Sequence, residues 1–311
     1  MDTRWLEDFL NLSESGNFSR SARERNVTQP AFSRRIRMLE HWAGGQLIDR
    51  STYPTKLTNA GEQFRDGVTP ILQELYRLRD EVRSEMGNKS ATVIIAAMHS
   101  LSLGVLPKWL HAVASHESPN IRIRSDNHHD CLQALAEGNC DFFLSYAHPN
   151  HPVLLEPSRY PYLDLGTTSL APYSSPDAEG NPVHELPGSA EAPVRYLAFG
   201  LDCYLGQVVS EALIKNKQPQ FLNSCYVDTV ADALQAMAVE GLGVAWLPEI
   251  STTNDVAENR LVSAGGEAWA VPLEIRLYRA STRRSVSAER LWDTAQAYVK
   301  GMRDQSHKSS A

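Results

Sequence analysis

The chain has 311 residues and a net charge of -7 at pH 7. That length exceeds one average domain, so two or three domains are expected, and the acidic total argues against indiscriminate coating of nucleic acid. There is no signal-like apolar run at the start and no stretch of about 18 apolar residues that could span a bilayer, so a cytoplasmic protein without a membrane partner is expected. The charge is unevenly spread: Arg20 to Lys56 holds eight Arg or Lys against three Asp or Glu, a basic module on an acidic remainder.

In chain order, Trp5, Leu6, Phe9, Leu10 and Ser13 have the spacing of one helix face. Ser19 can cap a short second helix containing Ala22, Asn26 to Thr28 supplies a turn, and Thr28 followed by Pro30 starts a third helix. At 100° per residue, roughly, Phe32, Ile36 and Leu39 share one side of that helix. Pro30, Arg34, Arg37, Met38 and His41 share the other, with Ser33 and Arg35 flanking. A helix that reads the major groove needs this division, because its apolar side seats on neighbouring helices while Arg, Gln and Ser reach base edges and phosphates. Gln29, Ser33 and Arg34 are the base-edge candidates, bordered by Ser19 and Pro30. Arg35, Arg37, Arg50 and Lys56 are the phosphate candidates, fixing register without reading sequence. Leu47 to Arg50 and Lys56 to Leu57, around a tip at Ser51 to Thr55, form an expected two-stranded wing.

Thr58 can cap a long helix running to about Met86. Along it Leu57, Gly61, Phe64, Val68, Ile71, Leu75, Leu78 and Val82 recur at alternating spacings of four and three, a heptad seam. Such a stripe on a helix leaving a small domain is buried economically against a second copy, so Phe64, Val68, Ile71, Leu75, Leu78 and Val82 are the dimerisation candidates. Met86 to Ser90 reads as a hinge.

Beyond it, short β-rich runs alternate with helical ones, which implies an α/β sheet. The expected strands are Thr92 to Ala97, Arg122 to Arg124, Asp141 to Ser145, Tyr196 to Phe199, Phe221 to Val227, Val244 to Leu247 and Leu273 to Arg279. The expected helices are Leu103 to Ser115, Cys131 to Glu137, Tyr204 to Lys215, Thr229 to Glu240 and Ala288 to Met302. Residues 156 to 192 look looser, and Asp304 to Ala311 a frayed tail. That ordering suggests two lobes, with the chain crossing twice between them. Ligands of open α/β sheets collect at strand ends near helix N-termini, which selects His99, Ser100, Ser102, Tyr146, Leu201, Asp202, Tyr204, Asp228, Thr229 and Trp246 as effector-site candidates. Ser100 and Asp228 are equally well placed as helix caps, and His99, Tyr146, Tyr204 and Trp246 as lobe or core residues.

Cys131, Cys140, Cys203 and Cys225 form no C-x-x-C motif and no zinc-finger spacing, so neither a metal nor another cofactor is expected. Cys203, beside a predicted helix start, is the best candidate for a reactive thiol. An enzyme using Ser100 or Cys203 with His99 has no nucleophile elbow, P-loop or dinucleotide glycine pattern behind it. A stand-alone solute-binding protein would explain the lobes but neither the basic module nor the lack of an export signal.

Through Val27, Gln29, Pro30, Ala31, Ser33, Ile36, Leu39, Glu40, Gly44, Leu47, Arg50, Leu57, Thr58, Ala60 and Gly61, the chain resembles the LysR-type bacterial transcriptional regulators. It departs from their usual pattern at Arg25, Ile48 and Tyr53. The resemblance implies α/β architecture with an all-α N-terminal part: a winged helix-turn-helix DNA-binding domain over 1–58, a linker helix and hinge over 59–90, a two-lobed periplasmic-binding-protein-like effector domain over 91–303 and a tail over 304–311. It implies a homodimer or homotetramer on double-stranded operator DNA, answering to a small-molecule effector, with RNA polymerase as a further partner and no enzymatic activity. A narrower resemblance, to hypochlorite-responsive LysR-type regulators, rests on RNVTQPAFSRRIRMLE, AAMHSLSLGVLP, GVAWLPE, and YRASTRR followed by AERLW. It brings in an oxidative-stress role and directs attention to Met98 and Met237.

Overall fold

The computed structural model describes residues 2–25, 27–52, 54–85, 92–113, 119–216, 218–281 and 285–309. Asn26 of the expected turn, Tyr53 at the wing tip and the Met86 to Ser90 hinge lie outside them. The chain divides into two compact units, residues 1–87 and 88–311. Among the described residues no helix is long and apolar enough to cross a membrane.

In the first unit, α1 (Thr3–Ser15) is capped by Asp2, whose side chain accepts from the Arg4 N–H, and ends at Gly16 in the left-handed region. Helix α2 (Phe18–Glu24) is capped by Asn17, whose Oδ1 accepts from the Ser19 and Arg20 N–H groups at 3.0 Å each. The cap expected at Ser19 is therefore two residues earlier, and Ser19 sits exposed in the first turn. Helix α3 (Gln29–Ala43) starts after Thr28, carries Pro30 in its first turn and ends at left-handed Gly44. Strands β1 (Ile48–Asp49) and β2 (Lys56–Leu57) pair antiparallel as the wing. Thr58 Oγ1 accepts from the Gly61 N–H at 3.0 Å and starts α4 (Asn59–Glu85). Leu6, Phe9, Leu12, Phe32, Ile36 and Leu39 form the core with the wing's Leu47 and Ile48. Val68 and Leu72 of α4 belong to the same core, and Phe64 packs on it, meeting Phe9 edge-on at 5.4 Å. The seam is thus divided: Phe64 and Val68 serve their own head, whereas Ile71, Leu75, Leu78 and Val82 are between 43% and 60% exposed.

The second unit begins with β3 (Val93–Met98), α5 (His99–Gly104), α6 (Leu106–Val113), β4 (Ile121–Asp126), α7 (His128–Ala136) and β5 (Phe142–Ala147). It continues with β6 (Tyr162–Ser174), β7 (Val194–Phe199), α8 (Tyr204–Lys215), β8 (Leu222–Asp228), α9 (Ala231–Val239), β9 (Ala245–Pro248) and α10 (Glu249–Ala257). Strands β10 (Val262–Ser263) and β11 (Val271–Arg279) precede α11 (Val286–Ser309). The main sheet runs β10-β6-β11-β5-β3-β4, with β9 also on β6. Strands β7 and β8 pair in parallel, and a Tyr196–Val244 bridge ties them to the approach to β9. The two lobes share β6. Its residues Tyr162 to Leu170 pair with β11, Leu170 to Tyr173 with β9, and Tyr173 and Ser174 with β10.

Several boundaries depart from the expectations. The segment expected to be loose contains β6, the longest strand; its first half is mostly half-exposed and its second half is buried on both faces, so it shows no alternation of the kind that marks a strand. The helix expected from Leu103 starts at His99 and breaks into α5 and α6 at Val105. Helix α10 was not anticipated, and α11 continues through the expected tail to Ser309.

Gly61 has a steric reason to be glycine. A Cβ there would stand 2.1 Å from the Leu47 carbonyl oxygen, so the first turn of α4 lies against the wing only because residue 61 lacks a side chain. Gly61→Ala is expected to destabilise the first unit by about 1–3 kcal/mol through overpacking, read from its transition in urea unfolding of the full chain.

Candidate DNA-binding face and ligand cleft

The zero exposure of Phe32, Ile36 and Leu39 fixes the rotation of α3, turning Gln29, Pro30, Arg34 and Arg37 outward. Ser33 is half-buried beside them. Gln29 Nε2 donates to Ser33 Oγ at 3.2 Å, and Arg37 Nε donates to the Ser33 carbonyl at 3.3 Å. Lys56 is exposed on the wing.

Two expected phosphate contacts are placed differently. Arg35 Nη1 donates to Asp8 Oδ2 at 3.2 Å, and Asp8 is fully buried on α1. Arg50 Nη2 donates to Glu40 Oε2 at 2.6 Å, while Glu40 Oε1 accepts from the Leu47 and Ile48 N–H groups at 3.1 Å each. Both arginines are held by carboxylates within the head, and Glu40 is the buried tie between α3 and the wing. Neither role was visible in the sequence, since each depends on an acid brought close only by folding.

The second unit contains a cleft of about 650 Å³ between the lobes. On one side are Asn127, His128, His129, Asp130 and Leu132 around the start of α7, and Asn150, His151, Pro152 and Leu154 from the β5–β6 connection. Facing them are Asp202, Cys203, Tyr204 and Gln207 around the start of α8, with Thr229 before α9. Asn127 caps α7 through the Asp130 N–H, and Cys203 caps α8, its Sγ accepting from the Gly206 N–H at 3.4 Å.

Asp202, Tyr204 and Thr229 are the predicted effector residues that line this cleft. Leu201 is highly exposed next to it. Asp228 acts as a local cap, accepting from the Thr229 and Val230 N–H groups at 2.7 and 3.0 Å. His99 and Ser102 meet instead around Ser125, with His99 Nδ1 and Ser102 Oγ 3.0 and 2.8 Å from its hydroxyl. Ser100 is buried and bonded to the Tyr146 hydroxyl at 3.0 Å, so no His99–Ser100 nucleophile pair forms. Tyr146 and Trp246 are core residues with 0% and 1% exposure; the indole N–H of Trp246 donates to the Trp269 carbonyl. Their place near strand ends suggests a cleft position, yet both sides of these strands are covered.

The cleft histidines were missed. Their signal was present as Asn127-His128-His129-Asp130, a capped helix start, and as the HPNH run at 148 to 151. The His128 ring stacks on Tyr204 at 4.5 Å and meets Phe143 edge-on at 5.5 Å, with Nε2 buried and unpartnered. Burial therefore lowers its pKa to about 4 and keeps the imidazole neutral. Tyr204 donates its hydroxyl to the His151 carbonyl at 2.8 Å, and burial pushes its phenol up. His151 Nε2 lies 2.5 Å from Glu211, which also pairs with Lys215 on α8. The Cys203 thiol is shifted upward because its burial outweighs the helix start, which reverses the expectation of a reactive thiol. Cys131 is likewise pushed up to about 12. Met98 is nearly buried, its sulfur accepting from Ser145 Oγ at 3.7 Å, and Met237 packs on the core.

A basic winged helix-turn-helix head followed by a two-lobed α/β domain with a cleft defines a ligand-responsive DNA-binding regulator. Residues 3–62 match the family model "Bacterial regulatory helix-turn-helix protein, lysR family", and residues 87–300 match "LysR substrate binding domain". The chain is 31% identical over 294 residues to the HTH-type transcriptional regulator YjiE of Escherichia coli (strain K12), covering 94% of this chain and 93% of that one. Its structure is similar to full-length HypT of Salmonella typhimurium, a hypochlorite-specific LysR-type regulator, at 30% identity and a TM-score of 0.60, covering 96% and 99% of the two chains. It is also similar to Vibrio fischeri DarR solved in complex with DNA, at 29% identity and a TM-score of 0.58, covering 95% and 98%. The chain belongs to the LysR family of transcriptional regulators: a DNA-binding regulator with an effector-binding domain.

The depressed pKa of His128 makes stability depend on pH. The unfolded chain takes up the proton near the usual 6.5, before the folded chain does, so stability falls as pH drops from 6.5 towards 4. His128→Phe keeps a ring on Tyr204 and removes the titration. It should abolish up to about 3 kcal/mol of this acid sensitivity, measured as unfolding midpoints of the full chain across that window.

Proposed function

We propose that Gln29, Ser33 and Arg34 read base edges of the operator, with Pro30 at the helix entry and Arg37 and Lys56 on flanking phosphates. The observation that carries this reading is the division of α3 into a fully buried apolar edge and an exposed polar one. A contact that reads bases discriminates between sequences, whereas a phosphate contact contributes equally to all of them. Two copies pair through Ile71, Leu75, Leu78 and Val82, the part of the seam that its own head leaves exposed. A dimer or a tetramer of such dimers then presents paired heads, at residues 1–58, to a promoter also served by RNA polymerase in the cytoplasm.

The effector occupies the interlobe cleft against Asp202, Tyr204 and Thr229, with His128, His129 and His151 added to the expected set. By preferring one lobe arrangement it shifts the population between two placements of the heads, acting through residues 86–90. The similarity to a hypochlorite-specific regulator supports an oxidant as the second reading, with Met98 and Met237 as the residues to follow. A thermal-shift screen of organic acids, amino acids, aromatics and mild oxidants separates the two, since a ligand of the native state raises the midpoint reversibly.

Arg34→Ala should weaken binding to a footprinted operator by about 1–3 kcal/mol more than binding to random duplex, whereas Lys56→Ala should weaken both alike. Leu75→Glu with Leu78→Glu should convert the oligomer to monomers in light scattering; an unchanged mass would refute the seam.

A further inference from the structure

We propose that Asp8 is a positioning residue that withholds Arg35 from DNA, so that a carboxylate buried behind the reading helix sets how many cations reach phosphate. Asp8 lies on α1 with no exposed surface, and both of its oxygens are used. Oδ1 accepts from Arg25 Nε at 2.9 Å and Oδ2 from Arg35 Nη1 at 3.2 Å. Arg25 also pairs with Glu7 through Nη2. The Arg25 and Arg35 side chains are only 30% and 26% exposed. Two cations and two anions thus form a neutral, half-buried cluster where α1, the end of α2 and α3 meet.

Arg35 nevertheless sits one residue from Arg34 and two from Arg37, both exposed. Its long side chain has a choice of anion, the Asp8 carboxylate or a DNA phosphate. Asp8 is preorganised and sheltered from counterions, whereas a phosphate must be reached by giving up that bond. The carboxylate wins while it is in place. Because a phosphate contact adds affinity to every sequence equally, withholding one lowers binding to operator and random DNA alike and weakens its salt dependence, while leaving the ratio between them to the base-edge contacts. This inference rests on the reading of α3 as the DNA face and concerns which of its cations take part.

The test is the salt dependence of binding to a random-sequence duplex, using the full chain. Arg35→Gln should leave the slope of log affinity against log salt unchanged, since the wild-type arginine holds no phosphate. Asp8→Asn should steepen it by about 0.9, making the loss of affinity between about 50 and 200 mM salt roughly 3.5-fold larger. Adding Arg35→Gln to Asp8→Asn should restore the wild-type slope. The proposal is overturned if Arg35→Gln flattens the slope, if folded Asp8→Asn leaves it unchanged, or if the double variant stays steep, which would implicate Arg25. Should Asp8→Asn fail to fold, Arg35→Gln decides alone, because it leaves the Asp8–Arg25 pair intact. Lys56→Gln reports on the underlying reading independently: its slope flattens if the wing touches phosphate, whatever Arg35 does.

Discussion

Phe32, Ile36 and Leu39 have no exposed surface, and every outward group on α3 takes its direction from that burial. A helix seated by three apolar side chains against α1 and α2 has one rotation open to it. The polar residues between those anchors then have fixed bearings. Glu40, the next residue after Leu39, extends the same constraint to the wing by accepting the Leu47 and Ile48 N–H groups. Reading helix and wing therefore behave as one rigid surface, which a reader of DNA requires because a base-edge contact tolerates little angular error. Removing the carboxylate would leave two buried N–H groups without their acceptor, a larger loss than the bonds themselves contribute.

The second unit solves a different problem, the sharing of one chain between two lobes. Strand β6 does so by changing partners along its length, from β11 at one end to β9 and β10 at the other. Continuous hydrogen bonding through the crossing satisfies the backbone where a loop would need water. It also lets the lobes approach elsewhere through side chains. Tyr204 reaches across to the His151 carbonyl, His128 lies flat on Tyr204, and His151 lies against Glu211.

Much of this was legible in the sequence, and the failures have specific physical causes. The face of α3 was readable because a helix period is local and Phe32, Ile36 and Leu39 fit it. The cap of α2 was misplaced because Asn17 and Ser19 both suit the role and stand two residues apart, so composition alone did not choose between them. The carboxylate partners of Arg35 and Arg50 were not legible, because Asp8 and Glu40 are 27 and 10 residues away in sequence. Tyr146 and Trp246 ended strands near the expected cleft, and only the packing of both sheet faces shows them to be core. Within the seam, Phe64 and Val68 pack on their own head, because the first turns of a helix leaving a small domain are taken into that domain's core, and a heptad period alone does not distinguish the two partners. Strand β6 was hidden because a half-exposed segment running into a doubly buried one has no period of two.

If the effector occupies this cleft as proposed, the contacts across it constrain how it acts. A ligand moves an equilibrium only by its difference in affinity for the two states. In this domain the His128–Tyr204 stack and the Tyr204–His151 hydrogen bond lie in the cleft itself. A molecule that inserts between His128 and Tyr204 must break that stack and gains only if it supplies aromatic or apolar surface in return. One that lies over the intact pair leaves the interlobe contacts in place and adds to them. The first kind would favour separated lobes and the second would favour joined ones. For an effector bound in this cleft as proposed, the sign of the response would be set by whether it competes with Tyr204 for the face of His128.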